Sequence, residues 1–383
     1  MHKNTFDTLK EIIFSLLIHF IIFHLLILIS FNGNIYADDN VNSSSYHTSS
    51  SYFEPALFAG KTMGTTYHIK VVGNKKGWTD LSKKALNTLI EKKLKQVNQS
   101  MSVYLKNSEI SLFNKADKKE KIKISPDFYT VMVTAQKLYN ITEGSWDGTL
   151  KPLVDLWGFG TKKEVVSMPS SEVIRAHLQA IGFNQIIIGN ENETTYTLEK
   201  ENRAVTLDLG SIAKGFGVDA ITQLLKDNGY INFLVEIGGE VFAAGEKKAG
   251  TPWIVGINKP DKWATPDIIY GDFPLENMAL ATSGDYRNFT MVKGKSYSHI
   301  INPVTGYPVD NGVVSASVIA NTCTFADGLA TALMVMGQEK GIKLVNSLEN
   351  TECLIVVKEE GGRLTDYRSK NFPVISRYSF PDN

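Results

Sequence analysis

Short β-branched and aromatic segments follow one another along this chain with no helix between them. That succession limits the fold more than any other feature. Residues 186–188, 196–198 and 205–207 form one such series, and residues 234–243 and 253–257 another. A doubly wound sheet alternates strand and helix, so it does not suit this order. Strands are also expected over 57–72, interrupted by a Met63-Gly64-Thr65-Thr66 turn, and at 313–319 and 354–357. Leu86, Ile90, Leu94, Val97 and Met101 recur at threes and fours, the period of an amphipathic helix. Ser125-Pro126 opens a second helix, and Ser170 or Ser171 caps a third. Helices are expected at 211–228, entered directly from a strand, and at 325–336 and 338–347. The whole reads as an α+β fold of mixed sheets with packed helices, two lobes in one continuous unit, without an internal repeat.

The N-terminus speaks to compartment. Lys3 and Lys10 precede an apolar run over residues 12–31. At ~1.5 Å of rise per residue such a run just spans a bilayer. It reads as a signal peptide or a membrane anchor, with Ala37 as a candidate cleavage position. No Cys follows it, so a lipid-modified mature N-terminus is not expected. Residues 38–56 begin with a Ser- and Asn-rich stretch and read as a flexible tether. The expected organisation is therefore 1–37 signal or anchor, 38–56 tether, and 57–383 an exported domain, on the periplasmic side of the inner membrane.

Composition removes several function classes. Forty Lys+Arg balance 40 Asp+Glu, which argues against a nucleic-acid partner. Apolar residues make up 43%, enough for a packed core. Two cysteines are too few for a disulfide framework or a four-thiolate zinc site. Cys323 and Cys353 read more simply as buried free thiols than as a pair.

Four segments carry chemistry. In Asp208-Leu209-Gly210-Ser211-Ile212-Ala213-Lys214-Gly215 a strand gives way to a helix across small residues. The helix N-terminus and Lys214 suit an anion such as phosphate, although no Walker loop is present. An ordinary strand-to-helix turn is the alternative. In Ala326-Asp327-Gly328-Leu329-Ala330-Thr331, Asp327 and Thr331 share one helix face. A carboxylate and a hydroxyl there suit a hard cation such as Mg2+, or else a cap and a back-bonded threonine. His299 lies in a polar turn between strands and could accept a proton from a hydroxyl, with Arg287 upstream to steady an anion. A hydrogen-bonded structural role would explain either residue as well. Residues 144–160 crowd Trp146, Trp157 and Phe159 among glycines, as a flat heterocycle or a core-lining loop would require.

The ordered set GKTMGTTYHI, MSVYLKNSEISLFN, SWDGTLKPLVDLWGFG, VTLDLGSIAKGFGVD, VEIGGEV, ATSGDYRNF, SHIINPVTGYPV and TCTFADGLATALMVMG resembles the ApbE-type FAD:protein FMN transferases, from about Phe58 to about Val357. The resemblance implies FAD in a cleft, Mg2+ on its pyrophosphate, and transfer of FMN to a threonine (or serine) hydroxyl of an acceptor flavoprotein, with AMP released. Position by position it implies flavin-substrate contacts at Met63, Tyr104, Ser145, Trp146, Asp147, Asp208, Lys214 and Ile301. The implied metal ligands are Ser211, through its carbonyl, Asp327 and Thr331. His299 is the first choice for the proton acceptor, with Asp147 or Asp208 as alternatives. Glu236 and Glu240 beside the paired glycines, and the bulk of Trp146, are small departures that bear on substrate preference. The family and the tether together imply an acceptor subunit of a membrane redox complex. FAD hydrolysis to FMN and AMP in the same pocket is the alternative enzymatic reading. Non-catalytic flavin binding is the alternative outside enzymes.

Overall fold

The computed structural model describes residues 54–376 apart from 74–76, 160–167, 193, 262–263, 266–267, 286–288 and 293–294. The apolar run 12–31, residues 38–53 of the expected tether, and Arg287 lie outside the described residues. Among the described residues no helix is long and apolar enough to cross a membrane. Residues 51–383 make one compact unit by themselves.

The frame is an eight-stranded sheet in the order β1 (Ala56–Thr62), β2 (Thr65–Val71), β6 (Phe233–Ile237), β7 (Glu240–Ala244), β11 (Met278–Gly284), β14 (Val313–Ala320), β15 (Glu352–Lys358) and β16 (Leu364–Arg368). Every neighbouring pair in it is antiparallel. Two small sheets flank it: β3 (Ile122–Ile124), β5 (Thr195–Lys200) and β4 (Ile186–Glu191), and then β8 (Glu246–Lys248), β9 (Thr251–Asn258) and β10 (Ile269–Leu275). A hairpin of β12 (Phe289–Val292) and β13 (Lys295–Ser298) completes the strands described.

The helices are α1 (Asp80–Met101), α2 (Glu109–Lys115), α3 (Pro126–Ile141), α4 (Lys151–Leu156), α5 (Ser171–Leu178), α6 (Ala213–Asp227) and α7 (Cys323–Val345). The five periodic residues expected to form the inner stripe of α1 are all buried. Burying a side chain of that size contributes about 1.5–3 kcal/mol, so the stripe docks the helix. Ser125 caps α3 by accepting from Phe128 N at 3.2 Å, with Pro126 in the first turn, and Ser170 caps α5. Alternation decides the faces of the main sheet. Tyr67, Ile69 and Val71 of β2 join Phe242 and Ala244 of β7 in the main core under the helices. Val241 and Ala243 face the opposite way, toward Trp253, Val255 and Phe273 of the small sheet. A third apolar cluster gathers Leu153, Trp157, Ile174, Ile181 and Ile301.

Two element readings change. Residues 205–207 are extended but not a strand. Their backbone is paired by a side chain instead: Asn114 accepts from Leu207 N at 2.7 Å and donates to Leu207 O at 2.9 Å. Residues 234–243 are two strands, β6 and β7, folded at Gly238-Gly239, whose φ values of 63° and 103° allow the tight turn. The two helices expected at 325–336 and 338–347 are present within α7 and meet at Gly337, whose φ of 77° and ψ of 174° are not helical. Cys323 and Cys353 are buried free thiols.

Candidate functional site

The segment leading into α6 is held from several sides. Asp208 donates its N–H to Gly148 O at 2.8 Å, and its Oδ1 accepts from Gly210 N at 2.9 Å, which turns the chain sharply. Ala213 N then donates to Leu209 O at 2.8 Å and the helix begins. One turn in, the pattern breaks. An α-helix would send Gly215 N–H to the carbonyl four residues back, that of Ser211. It goes instead to Asp327 Oδ2 at 3.0 Å. The Ser211 carbonyl is thereby relieved of its helical donor.

Asp327 and Thr331 sit on α7 where it crosses α6. Asp327 is 2% exposed, and Thr331 Oγ1 is 2.9 Å from Ser283 Oγ on β11. Lys214 Nζ lies 3.7 Å from Asp327 Oδ2 and 3.2 Å from Glu240 Oε1. Glu240 is 3% exposed, and its Oε2 is buried without a hydrogen-bond partner. Burial works against the Lys214 ammonium, but Asp327 and Glu240 outweigh it and hold its pKa above the ordinary lysine value. Burial raises both carboxylates, while Lys214 pulls each back down. Two buried carboxylates thus share one ammonium.

That arrangement fits a hard divalent cation. The donors at hand are a carboxylate, a hydroxyl and a freed carbonyl, all oxygen, which is what Mg2+ takes. Among the described residues no three His, Cys, Asp or Glu side chains converge as a metal site, so any ion here depends on this mixed set.

The other expected residues fall around this centre to different degrees. Trp146 is fully buried and donates its Nε1–H to Ser211 Oγ at 3.1 Å, tying segment 144–150 to the α6 entrance. Asp147 is also buried, and its carboxylate is fully engaged. Oδ1 accepts from Thr149 N at 2.8 Å and Thr149 Oγ1 at 2.6 Å, and Oδ2 from Phe183 N at 3.2 Å. Burial pushes its pKa up while those bonds oppose the shift. Ser145 is half-buried and donates its N–H to Thr142 O at 2.9 Å. Met63, with a φ of 49° in the β1–β2 turn, lies against Gly217 of α6. Ile301 is buried in the third cluster, beneath the turn where Trp157 Nε1–H donates to Gly306 O at 2.8 Å. His299 meets Phe159 edge-on at 6.3 Å between ring centroids. Tyr104 stands 80% exposed on the loop after α1.

Sequence reasoning assigned no role to Asp219, Asn114 or Ser283, and took Glu240 only as a departure bearing on substrate preference. Glu240 had a signal: it shares the inward side of β7 with Phe242 and Ala244, where a lone charge is costly. Asp219 accepts from Cys323 N and Thr324 N, each at 2.8 Å, and from the Thr324 hydroxyl. It caps α7 from a neighbouring helix, so no local pattern announces it.

The ApbE family model matches residues 63–355. A Vibrio cholerae protein described as FAD:protein FMN transferase is 40% identical over 329 residues, covering 85% of this chain and 94% of that protein. A Haemophilus influenzae protein of the same description is 38% identical, covering 80% and 88%. The solved structure of the flavin transferase ApbE from Vibrio cholerae superposes with a TM-score of 0.74 at 38% identity, covering 83% of this chain and 98% of that one.

Proposed function

The chain belongs to the ApbE family, and from that membership we propose that it transfers FMN from FAD to a threonine or serine hydroxyl of an acceptor flavoprotein, with Mg2+ as the metal. Its relatives are described as FAD:protein FMN transferases over nearly their whole length, so the assignment as a transferase covers the domain and not a fragment. The observation that carries the metal-dependent reading is the crossing of α6 and α7. There Asp327 takes the Gly215 N–H that a regular helix would give to the Ser211 carbonyl, Lys214 Nζ lies 3.7 Å from Asp327, and Thr331 follows one turn along α7.

In this reading FAD lies with its pyrophosphate toward Lys214 and its flavin portion near Met63, Tyr104, Ser145, Trp146, Asp208 and Ile301. The acceptor hydroxyl oxygen attacks the phosphorus on the riboflavin side. A new P–O bond forms to the acceptor as the bond to the bridging oxygen breaks. AMP leaves with that electron pair. Asp327, Thr331 and the Ser211 carbonyl would hold Mg2+, which when bound would supply charge compensation to the pyrophosphate. Lys214 contributes a fixed positive charge to the same field. His299 takes the hydroxyl proton. Asp147 has its carboxylate filled by Thr149 and Phe183, so its part is to hold the 146–150 turn against the α6 entrance.

The acceptor is a subunit of a membrane redox complex on the export side. The support is the apolar run 12–31 and the Ser- and Asn-rich stretch after it, which would keep the domain near a membrane partner. Protease accessibility in spheroplasts tests that placement: protection of the domain from added protease would reject it.

The test of function uses protein lacking residues 1–37 with FAD, Mg2+ and a threonine-containing acceptor domain, both products being weighed by mass spectrometry. An acceptor gaining one FMN with stoichiometric AMP is expected. Free FMN and AMP with an unmodified acceptor would mean hydrolysis, and intact bound FAD would mean a carrier. Asp327→Ala is expected to abolish transfer while the fold survives, and undiminished transfer in that variant would remove Asp327 from the metal site.

A further inference from the structure

Glu240 stands at the first position of β7, directly after the Gly238-Gly239 turn, and its side chain is almost wholly buried. One oxygen faces Lys214 Nζ at 3.2 Å, and the other has no hydrogen-bond partner. A buried carboxylate with an unsatisfied oxygen costs stability and persists only where something is gained from it. What it adjoins suggests the gain. The Lys214 ammonium has two anions within reach, and the nearer is Glu240, with Asp327 at 3.7 Å. The Lys214 stem is fixed from a third side, because its Cδ lies against Gly238, where an added Cβ would come within 3.2 Å. The turn, the glutamate and the lysine therefore form one unit.

Resting on the metal reading above, we propose that Glu240 is a positioning residue that draws the Lys214 ammonium away from Asp327 and so keeps the Asp327 carboxylate available to a divalent cation. Without the Glu240 charge, Asp327 becomes the only anion beside Lys214. The ammonium then closes onto it as a direct pair against a buried carboxylate. A divalent ion must displace that pair to bind. Glu240 acts through Lys214 and is not itself a ligand in this scheme. The lysine, held off the metal ligand, keeps its charge directed to where a pyrophosphate would lie.

The test reads cation binding without FAD, using Mn2+ and the electron paramagnetic resonance signal of the free ion. Asp327→Ala is the control for the site: it is expected to lose binding, and wild-type binding in that variant would sink the metal reading itself. Glu240→Gln is expected to weaken Mn2+ binding by about 10–100-fold, the range typical for groups that orient a ligand from behind. Lys214→Met should bind Mn2+ at least as tightly as wild type, and adding Glu240→Gln to it should cause no further loss. In the transfer assay Glu240→Gln should be recovered largely by raising Mg2+, which a merely structural defect would not allow. Two results overturn the proposal while leaving the site intact. One is wild-type Mn2+ affinity in Glu240→Gln. The other is an equal loss from Glu240→Gln in the Lys214→Met background, which would make Glu240 a direct ligand. If Glu240→Gln does not fold, Glu240→Asp is read instead, with its shorter reach expected to give a smaller loss that Lys214→Met again removes.

Discussion

A β-carbon at Gly215 would stand 2.3 Å from the Cys323 carbonyl oxygen and 2.9 Å from Asp327 Cβ. Neither neighbour is the free end of a flexible chain, so α6 and α7 meet this closely only over a glycine. The same contact lets Gly215 N–H reach Asp327. Gly215→Ala is therefore expected to cost about 1–3 kcal/mol, the usual penalty for overpacking a core, and to weaken FMN transfer beyond what the stability loss explains. Denaturant melts beside transfer rates would check it, and a variant as stable and active as wild type would refute the close contact. Asp285 offers a second residue-level test. Burial raises its carboxyl from an ordinary 3.8 to about 6. The folded protein then holds that proton more tightly than the unfolded chain. Its share of stability is complete below about pH 4 and is lost as the pH rises through about 6. Asp285→Asn should flatten the stability–pH curve across that window, and parallel curves for the two proteins would dismiss the effect. At this scale the sequence was readable where spacing fixes a face: Asp327 and Thr331 are four positions apart on α7, so they share one. It marked Glu240 as a departure beside the paired glycines but not as the partner of Lys214, because its partners arrive from another strand turn and two helices.

Helix α7 carries both of those oxygen donors, and its start is set by Asp219 on α6 rather than by its own sequence alone. Thr322 caps it locally, at 3.4 Å from Phe325 N, while Asp219 takes the Cys323 and Thr324 N–H groups. Loss of a capping carboxylate costs about 0.5–2 kcal/mol, and here it also frees the crossing of two helices. Asp219→Ala should lower the unfolding midpoint and raise the Mg2+ concentration needed for half-maximal transfer, whereas Thr322→Ala should lower the midpoint alone. Equal effects of the two variants on Mg2+ dependence would break the argument. Elements with a strong local signature were legible: the stripe of α1, the Ser125-Pro126 start of α3, and the turn at Met63. The reading of residues 205–207 as a strand failed because Asn114 satisfies that backbone with its amide, a long-range substitution that no periodicity reveals. Strand β10 went unread because glycine, acid and proline interrupt its apolar residues, and β11 because it is mostly small residues; neighbours in the sheets, more than intrinsic preference, make them strands.

For the molecule as a whole, the succession of strands pointed rightly to an α+β fold, but the strand order did not follow from it. β2 pairs with β6 across more than 160 residues, a partnership that only the buried faces of the two strands decide. The same buried faces fix where the folding unit begins. Ala56 and Phe58 of β1 are in the main core, and β1 shields the edge of β2 along its full length. The main core starts at Ala56, so a chain lacking residues 1–53 should unfold within about 2 °C of the full chain, the shift expected when stability changes by no more than a few tenths of a kcal/mol. Its FAD turnover with a soluble acceptor domain should match as well. Removing residues 1–62 deletes β1, empties the Phe58 site and exposes the hydrogen-bonding edge of β2. Loss of one buried phenylalanine alone costs about 3–5 kcal/mol, and an uncovered edge invites association between chains. The longer deletion should therefore melt far lower and aggregate, measured by differential scanning calorimetry with light scattering. A cooperative, monomeric melt from the longer deletion would show that the unit starts at β2, and a collapsed melt from the shorter one would show that residues before 54 belong to the fold.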